Sequence, residues 1–207
     1  MTITYRVGNG LYVNMTNRCT SDCVFCIRKL GDSVGDADSL WLDREPSREE
    51  VLEDILKRNF NEFDEIVFCG YGEPTMRLDD MLWVCKHLKG YCRHLEGTSN
   101  HLKSTCPLPI RVNTNGHASL VAGYDTAPLF SKLVDKLSIS LNAASADEYV
   151  RLCKPEFGTD AYQGVLDFAR NVKAYVPDVV LTVVHGTTDV EPCRSIAEEM
   201  GLKFRVR

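Results

Sequence analysis

Short apolar runs that are rich in β-branched residues recur along the chain, and polar segments separate them. Six of these runs are short enough to be β-strands rather than helices. They are Leu11–Met15, Glu65–Gly70, Ile110–Asn115, Lys136–Ala143, Asp178–His185 and Lys203–Arg207. The second and fifth runs, EIVFCG and DVVLTVV, are apolar nearly throughout. This pattern is typical of strands in a parallel sheet that is covered on both faces.

Segments with helical signatures lie between the predicted strands. The sequence Ser47-Arg-Glu-Glu is a capping box, and it predicts a helix that runs to about Asn59. The spacing of apolar residues predicts five further helices, the last of them capped by Gly201. They are Leu78–Leu88, Pro128–Val134, Ala146–Cys153, Ala161–Val176 and Pro192–Met200.

The alternation of strands and helices predicts the fold class. Strands joined by helices pair in parallel through right-handed crossovers, so the chain is expected to be an α/β protein. Its length of 207 residues fits a single domain, 1–207. Six strand–helix units are two fewer than a closed barrel of eight contains. The pattern therefore leaves two architectures open, a doubly wound open sheet and an incomplete barrel.

The stretch Gly90–Pro109 interrupts the alternation and is interpreted as a surface insertion. It contains four residues of the types that bind zinc, namely Cys92, His94, His101 and Cys106. Their spacing matches no zinc-finger pattern. A plain insertion is therefore favoured over a second metal site, which remains the alternative.

Composition and charge restrict the function classes. Hydrophobic residues make up 44% of the chain and charged residues 26%, as in ordinary globular proteins. The formal net charge of -5 argues against a broad electrostatic contact with nucleic acid. The N-terminus has no signal-peptide pattern and no apolar run spans a membrane, so a cytoplasmic protein is expected. In that reducing compartment, an odd number of cysteines, nine, points to metal binding rather than disulfides.

Three of the cysteines, Cys19, Cys23 and Cys26, form a C-x3-C-x2-C pattern just beyond the first predicted strand. Ligands of α/β folds bind at the carboxyl ends of the strands. A structural zinc ion takes four protein ligands, whereas a four-iron cluster held by three cysteines keeps one iron open. The spacing also differs from that of ferredoxins. A zinc-binding scaffold and an electron-transfer module are nevertheless kept as alternatives.

A second pattern, CGYGEPT, begins at Cys69 and follows the second predicted strand. Its glycines permit a close approach of the backbone to a ligand. The expected result is an edge rich in carbonyl groups beside Glu73, which suits an ammonium group.

Together the two patterns resemble the radical S-adenosylmethionine (SAM) enzymes. In that family an aromatic residue precedes the last cysteine, as Phe25 does here, and a Gly-Gly-Glu-Pro run binds the amino group of SAM. The corresponding residues here are Gly70, Tyr71, Gly72, Glu73 and Pro74. Over nearly the whole chain, segments such as NMTNRC, RVNTNG, SISLNA and RLCKPEFG are similar to the small radical SAM proteins associated with TatD-type hydrolases. The resemblance implies a partial (β/α)6 TIM-like barrel with mostly parallel strands.

The resemblance also implies a chemistry. Cys19, Cys23 and Cys26 ligate three irons of a [4Fe-4S] cluster, and the amino and carboxylate groups of SAM chelate the fourth. Reduction of the cluster cleaves SAM to methionine and a 5′-deoxyadenosyl radical, which abstracts hydrogen from a substrate that the sequence does not identify. The implied partners are a flavodoxin- or ferredoxin-like electron donor and, through a functional association, a TatD-like hydrolase.

Polar residues at the ends of later strands are candidates for further contacts with SAM. Those with side chains suited to its ribose or carboxylate are Asn113, Asn115, Ser140 and Asn142. Lys154 and Arg151 have the charge to neutralise its carboxylate. Each residue also has a structural alternative, because Asn and Ser cap turns and cations stabilise helix ends.

Five other residues are weaker candidates. His185 and Arg205 lie late in the last two predicted strands, near the expected position of the adenine. A structural histidine and a surface arginine are the favoured interpretations. Cys69, Cys153 and Cys193 are expected to be buried as apolar side chains. A role for one of them as a hydrogen donor to a substrate radical is left open.

Overall fold

The computed structural model describes residues 1–29, 31, 34–96 and 108–207, with the backbone alone for 91–96. This part of the chain contains a seven-stranded sheet whose strand order follows the chain order. The first pair of strands is antiparallel and every later pair is parallel. The strands are β1 (Thr4–Val7), β2 (Gly10–Val13), β3 (Glu65–Phe68), β4 (Ile110–Thr114), β5 (Lys136–Ser140), β6 (Asp178–Val183) and β7 (Lys203–Val206).

The strand order decides between the two architectures that the sequence left open. A doubly wound sheet changes direction at a switch point, so its strand order departs from the chain order. Here each strand from β2 to β7 lies beside the next strand in the chain. The sheet has β1 at one edge and β7 at the other and is not closed. The prediction of a partial barrel with mostly parallel strands is confirmed.

The predicted count of six strands was wrong, because β1 was missed. The sequence of β1, TYRV, mixes polar and apolar residues and has no long apolar run. It pairs with β2 as a hairpin whose turn contains Gly8 at a positive φ of 56°. The Tyr5 and Tyr12 rings contact each other across this pair, with 5.4 Å between their centroids. A hairpin partner needs no crossover helix, so the alternation of strands and helices gave no sign of it.

Six α-helices are present in the described residues: α1 (Arg48–Leu56), α2 (Leu78–Glu96), α3 (Ala118–Ala122), α4 (Ala146–Cys153), α5 (Asp160–Val172) and α6 (Val190–Glu199). The capping box at α1 is confirmed. Ser47 Oγ accepts a hydrogen bond from the Glu50 backbone N–H at 3.1 Å, and the Glu50 carboxylate accepts one from the Ser47 N–H at 2.7 Å. The helix predicted over Pro128–Val134 was wrong, since a short 3-10 helix at Ala127–Phe130 occupies that segment. α3 was not predicted.

The predicted insertion at Gly90–Pro109 begins inside α2. Cys92 and His94 lie on this part of the helix, where only the backbone is described. His101 and Cys106 lie outside the described residues. The second metal site considered as an alternative for these four residues therefore stays untested.

One large core lies between the helices and the outer face of the sheet. Val112, Leu137 and Leu181 are fully buried there. Because side chains of a strand point alternately to its two faces, the intervening residues face the inside of the partial barrel. We call this the inner face, and in β4 to β7 it carries polar residues such as Arg111 and Ser138. None of the described helices is both long and apolar enough to span a bilayer.

Candidate metal and cofactor site

The cysteine loop, residues 19–26, follows β2 at the carboxyl end of the sheet. Three backbone hydrogen bonds hold it against the last turn of α4 and the segment that follows it. The Val24 N–H donates to the Leu152 carbonyl at 2.9 Å, and the Asp22 N–H donates to the Lys154 carbonyl at 3.3 Å. In the other direction, the Glu156 N–H donates to the Thr20 carbonyl at 2.9 Å. This ladder holds the loop across the carboxyl ends of the strands.

The three cysteines of the loop are free thiols and are only partly buried. Burial raises the pKa of Cys19 to about 12, and the nearby Glu73 carboxylate contributes to the rise. A hydrogen bond with Cys153 raises the pKa of Cys23, and burial adds to this. The thiolate form of these side chains therefore needs a cation to stabilise it. Since thiolates are the ligands that iron–sulfur clusters use, the donor set fits such a group.

Within the described ranges, no three His, Cys, Asp or Glu side chains converge as the ligands of one metal ion do. The thiols of Cys19, Cys23 and Cys26 are spread along one loop. Thiols spread in this way suit an iron–sulfur cluster better than a single metal ion, because in a cluster each cysteine binds a different iron.

Two glycines of the Gly70–Pro74 segment lie against the chain just before the cysteines. A Cβ atom on Gly72 would lie closer than 3.0 Å to the carbonyl oxygens of Thr16 and Arg18. A Cβ on Gly70 would likewise meet the Asn14 side chain closer than 3.0 Å. These glycines therefore permit close contact with the protein's own backbone and with Asn14 rather than with a ligand. This contact positions the Gly70–Pro74 segment beside the cysteine loop.

Glu73 joins the ends of β3 and β4. Its buried carboxylate accepts hydrogen bonds from the Thr75 N–H at 3.1 Å and the Thr75 hydroxyl at 2.8 Å. It also accepts from the Thr114 hydroxyl at 2.8 Å and from the Asn115 N–H at 2.7 Å. Burial raises the pKa of Glu73, and these four hydrogen bonds oppose the rise. Both carboxylate oxygens are thus taken by donors of the chain itself.

Tyr71 and Pro74 also have structural surroundings. The Tyr71 side chain is buried in a small second cluster with Tyr5, Ala37 and Leu40, and its ring contacts that of Trp41 edge-on at 5.1 Å. Pro74 is buried at the start of a 3-10 helix, Pro74–Arg77. The side chain of Tyr71 therefore serves packing in the second cluster.

A buried chain of hydrogen bonds lies below the cysteine loop, and sequence reasoning missed most of it. The Asn115 amide donates to Thr20 Oγ1 at 2.9 Å and approaches Cys19 Sγ at 3.8 Å. The Thr20 hydroxyl is 2.8 Å from His117 Nδ1, and His117 Nε2 is 3.0 Å from the Tyr149 hydroxyl. Only Asn115 was a sequence candidate. The one local signal for His117 is its position directly after the VNTNG strand end.

Acid should weaken the fold through His117. Burial lowers the pKa of this histidine from its usual 6.5 to about 4. Between these values the unfolded chain binds a proton that the folded chain does not, so stability falls as the pH falls. The full loss corresponds to about 3 kcal/mol. Urea unfolding at pH 7 and pH 4 should therefore show a smaller pH dependence for His117→Gln than for the natural chain, and equal dependences would contradict a neutral buried His117.

The other predicted contacts lie along the carboxyl edge of the sheet. Asn113 Oδ1 accepts from Arg111 at 3.3 Å, and Ser140 Oγ accepts from Arg207 at 2.8 Å. Asn142 has a left-handed φ of 58°, and its amide donates to Cys153 Sγ at 3.6 Å. The Asn142 Oδ1 atom is buried and has no partner among the described residues.

Four further candidates, Lys154, Arg151, His185 and Cys193, have the following surroundings. Lys154 is exposed and caps the C-terminus of α4 at a left-handed φ of 44°. Arg151 pairs with Glu148 at 3.6 Å, and His185 is exposed. Cys193 is fully buried in the large core, as expected of an apolar side chain.

The partial parallel barrel carries three free cysteines on the loop that follows β2, its first parallel strand. A family model described as Radical SAM superfamily matches residues 13–198. The chain belongs to the radical SAM superfamily. This superfamily uses a [4Fe-4S] cluster and SAM, and its enzymes need an electron donor. The sequence-based predictions of the radical SAM superfamily and of its cofactors are therefore confirmed. The resemblance to the TatD-associated members stays a prediction.

Solved structures share the fold at low sequence identity. TYW1 with a lysine-pyruvate adduct bound has a TM-score of 0.61 at 15% identity, over 96% of this chain and 65% of that one. SuiB of Streptococcus suis bound to S-adenosylmethionine has a TM-score of 0.62 at 15% identity, over 96% of this chain and 40% of the SuiB chain. HydG, a maturase of the [FeFe]-hydrogenase, has a TM-score of 0.55 at 16% identity, over 95% of this chain and 41% of the HydG chain. This chain thus spans less than two thirds of each of these three chains. Among curated protein sequences, none matches significantly.

Proposed function

We propose that this chain is a radical SAM enzyme whose cluster is held by Cys19, Cys23 and Cys26. Such a cluster supplies the electron that cleaves SAM to methionine and a 5′-deoxyadenosyl radical, which abstracts hydrogen from the substrate. The position of the cysteine loop carries this proposal. Gly70–Pro74 packs against the chain just before it and Leu152–Glu156 pairs with it, at the carboxyl ends of parallel strands where such folds bind ligands.

Of the remaining candidate residues, some are proposed to contact SAM and one, Glu73, to position the loops around the cysteines. Contacts with SAM are assigned to the backbone of the Gly70–Pro74 segment and to the side chains of Phe25, Asn113, Asn115, Asn142 and Lys154, with Ser140 at the border of the SAM and substrate regions. The buried Oδ1 of Asn142 favours this assignment, because an acceptor without a partner among the described residues is left for a ligand. Glu73 is a positioning residue, since its hydrogen bonds connect the two loops that flank the cysteines.

The proposal extends to domain organisation and partners. Residues 1–207 act as one radical SAM core domain, and the segment 90–109 is a surface insertion. The electron donor is of the flavodoxin or ferredoxin class. Val24 and Ile27, which are 49% and 50% exposed beside Cys23 and Cys26, support direct access of a donor to the loop. A functional association with a TatD-like hydrolase rests on the sequence resemblance alone.

The test is cleavage of SAM by the reconstituted protein. Iron and sulfide are added under anaerobic conditions, the protein is reduced with dithionite in the presence of SAM, and 5′-deoxyadenosine is measured by chromatography. We expect 5′-deoxyadenosine only when protein, reductant and SAM are all present. A protein that takes up a full complement of iron and sulfide and still gives no 5′-deoxyadenosine contradicts the proposal.

A further inference from the structure

Arg205 of β7 and Arg207, the residue directly after β7, reach across the inner face of the sheet. Arg205 and Arg207 are two residues apart, so their side chains leave the strand on the same side. The Arg205 guanidinium donates a hydrogen bond to Ser138 Oγ at 3.0 Å, and the Arg207 guanidinium donates to Ser140 Oγ at 2.8 Å. Both serines belong to β5, and β6 lies between the two strands. We call these four residues the arginine–serine patch.

The charge of the patch is not balanced. Neighbouring cations of the inner face have carboxylate partners, since Arg111 and Lys136 both pair with Glu65, at 2.8 Å and 3.3 Å. In the part of the chain that the structure describes, neither Arg205 nor Arg207 forms an ion pair. Both arginine side chains are exposed at this edge of the sheet. The Arg207 guanidinium is nevertheless close enough to the chain for partial desolvation, and then the charge of Arg205, to lower its pKa. Two like charges are thus held side by side in a chain whose net charge is -5.

The patch lies between the cysteine loop and an inner cavity. At its upper end Arg207 donates to Ser140, the last residue of β5, so the guanidinium lies at the carboxyl edge of the sheet, where the cysteine loop also lies. At its lower end Arg205 and Ser138 line a cavity of about 200 Å³ on the inner face. The lining also contains Arg111 and Lys136 with their partner Glu65, and Asp178, which pairs with Lys203. A molecule bound at the patch therefore lies beside the proposed reaction centre and inside the barrel.

We propose that the arginine–serine patch binds a phosphate group of the substrate. This inference rests on the proposed function, because it assigns the substrate class of the same site. A guanidinium offers parallel N–H donors that match phosphate oxygens, and such charge-assisted bonds are the strong ones. A phosphate monoester carries a charge of about -1.5 to -2 at pH 7, which balances two arginines, whereas a single carboxylate leaves one of them unpaired. The serine hydroxyls keep their own O–H donors for the phosphate.

Binding of inorganic phosphate to the reconstituted protein tests the assignment. Isothermal titration calorimetry at low ionic strength compares the natural chain with Arg205→Gln and Arg207→Gln. Each substitution should weaken phosphate binding about tenfold. The matched control is Arg194→Gln, which removes the same charge from a residue that packs on Phe204 of β7, 5.0 Å from the ring centre, on the outer face. The control should change binding by less than about twofold.

Several outcomes overturn the proposal. One is the absence of phosphate binding to the natural chain, and another is an equal loss in the Arg194→Gln control. Binding of malonate as tight as that of phosphate would assign the patch to carboxylates instead. If the Arg205 and Arg207 variants raise the SAM concentration needed for cleavage and leave phosphate binding unchanged, the guanidinium groups hold SAM and the substrate assignment is wrong.

Two measurements keep these results separate from folding and from the proposed function. Circular dichroism and iron content identify a variant that does not fold. For such a position the lysine substitution keeps the charge, and weaker phosphate binding than in the natural chain is then expected from loss of the paired donors. The yield of 5′-deoxyadenosine is measured in the same preparations. Phosphate binding without any 5′-deoxyadenosine contradicts the proposed function alone. Formation of 5′-deoxyadenosine without phosphate binding contradicts the phosphate site alone.

Discussion

Replacement of Cys19 by alanine is expected to abolish iron binding and SAM cleavage together. Cys19 is the first thiol of the cysteine loop, and the Asn115 amide lies 3.8 Å from its sulfur. Residues that only hydrogen-bond to a metal ligand already cost about 10–100-fold when removed, so loss of the ligand itself should exceed about 100-fold. Iron and sulfide content and the yield of 5′-deoxyadenosine are the measurements.

The matched control for this prediction is Cys85→Ala. Cys85 is a fully buried thiol of α2 in the large core. Its replacement should cost about 1 kcal/mol of unfolding free energy and leave iron content and SAM cleavage intact. The cysteine assignment is wrong if Cys19→Ala retains iron and activity, or if Cys85→Ala loses both while it stays folded. Cys23 is a less suitable position, because the neighbouring Cys153 thiol could replace it as a ligand.

Gly72→Ala is expected to damage both stability and activity. The added Cβ would lie closer than 3.0 Å to the carbonyl oxygens of Thr16 and Arg18, and these backbone atoms cannot rotate away as a side chain can. Overpacking of this kind costs about 3 kcal/mol at its upper range. The Gly70–Pro74 segment should move relative to the cysteine loop, and a shift of about 1 Å is enough for a 100-fold loss of rate. Urea unfolding and 5′-deoxyadenosine yield measure the two effects.

Gly90→Ala provides the comparison for Gly72. Gly90 lies inside α2, and no atom of the described residues comes within 4 Å of a Cβ built there. Alanine should therefore stabilise the helix by about 0.5–1 kcal/mol without any effect on SAM cleavage. If Gly72→Ala behaves like Gly90→Ala in both measurements, the close contact between the two loops is not needed for function.

Much of the fold followed from local patterns. β3 and β6 were found because they are apolar nearly throughout, and α1 was found because its capping box joins residues three apart, Ser47 and Glu50. α4 has its predicted bounds, Ala146–Cys153. The errors occurred where the signal is not local. β1 depends on its pairing with β2, and α3, with five residues, is too short to show a helical period.

In the candidate site, too, local patterns were predictable from the sequence and contacts between distant residues were not. The spacing of Cys19, Cys23 and Cys26 and the run Gly70–Pro74 are local patterns, and together they led to the resemblance that predicts the family and its cofactors. The directions of neighbouring side chains were not predictable. Tyr71 packs into the second cluster, and the Glu73 carboxylate bonds to residues that include Asn115, 42 positions away in the chain.

Spacing and apolar pattern in the sequence established an α/β chain of one family, with three cysteines placed at the end of a strand. Contacts between distant segments settled the rest. The chain order of the strands made the sheet a partial barrel, the ladder with Leu152–Glu156 held the cysteine loop, and the reach of Arg205 and Arg207 to β5 created the arginine–serine patch. The physical reason is that polar groups pair with whatever partners the packed chain brings near them, and such partners carry no fixed spacing in the sequence.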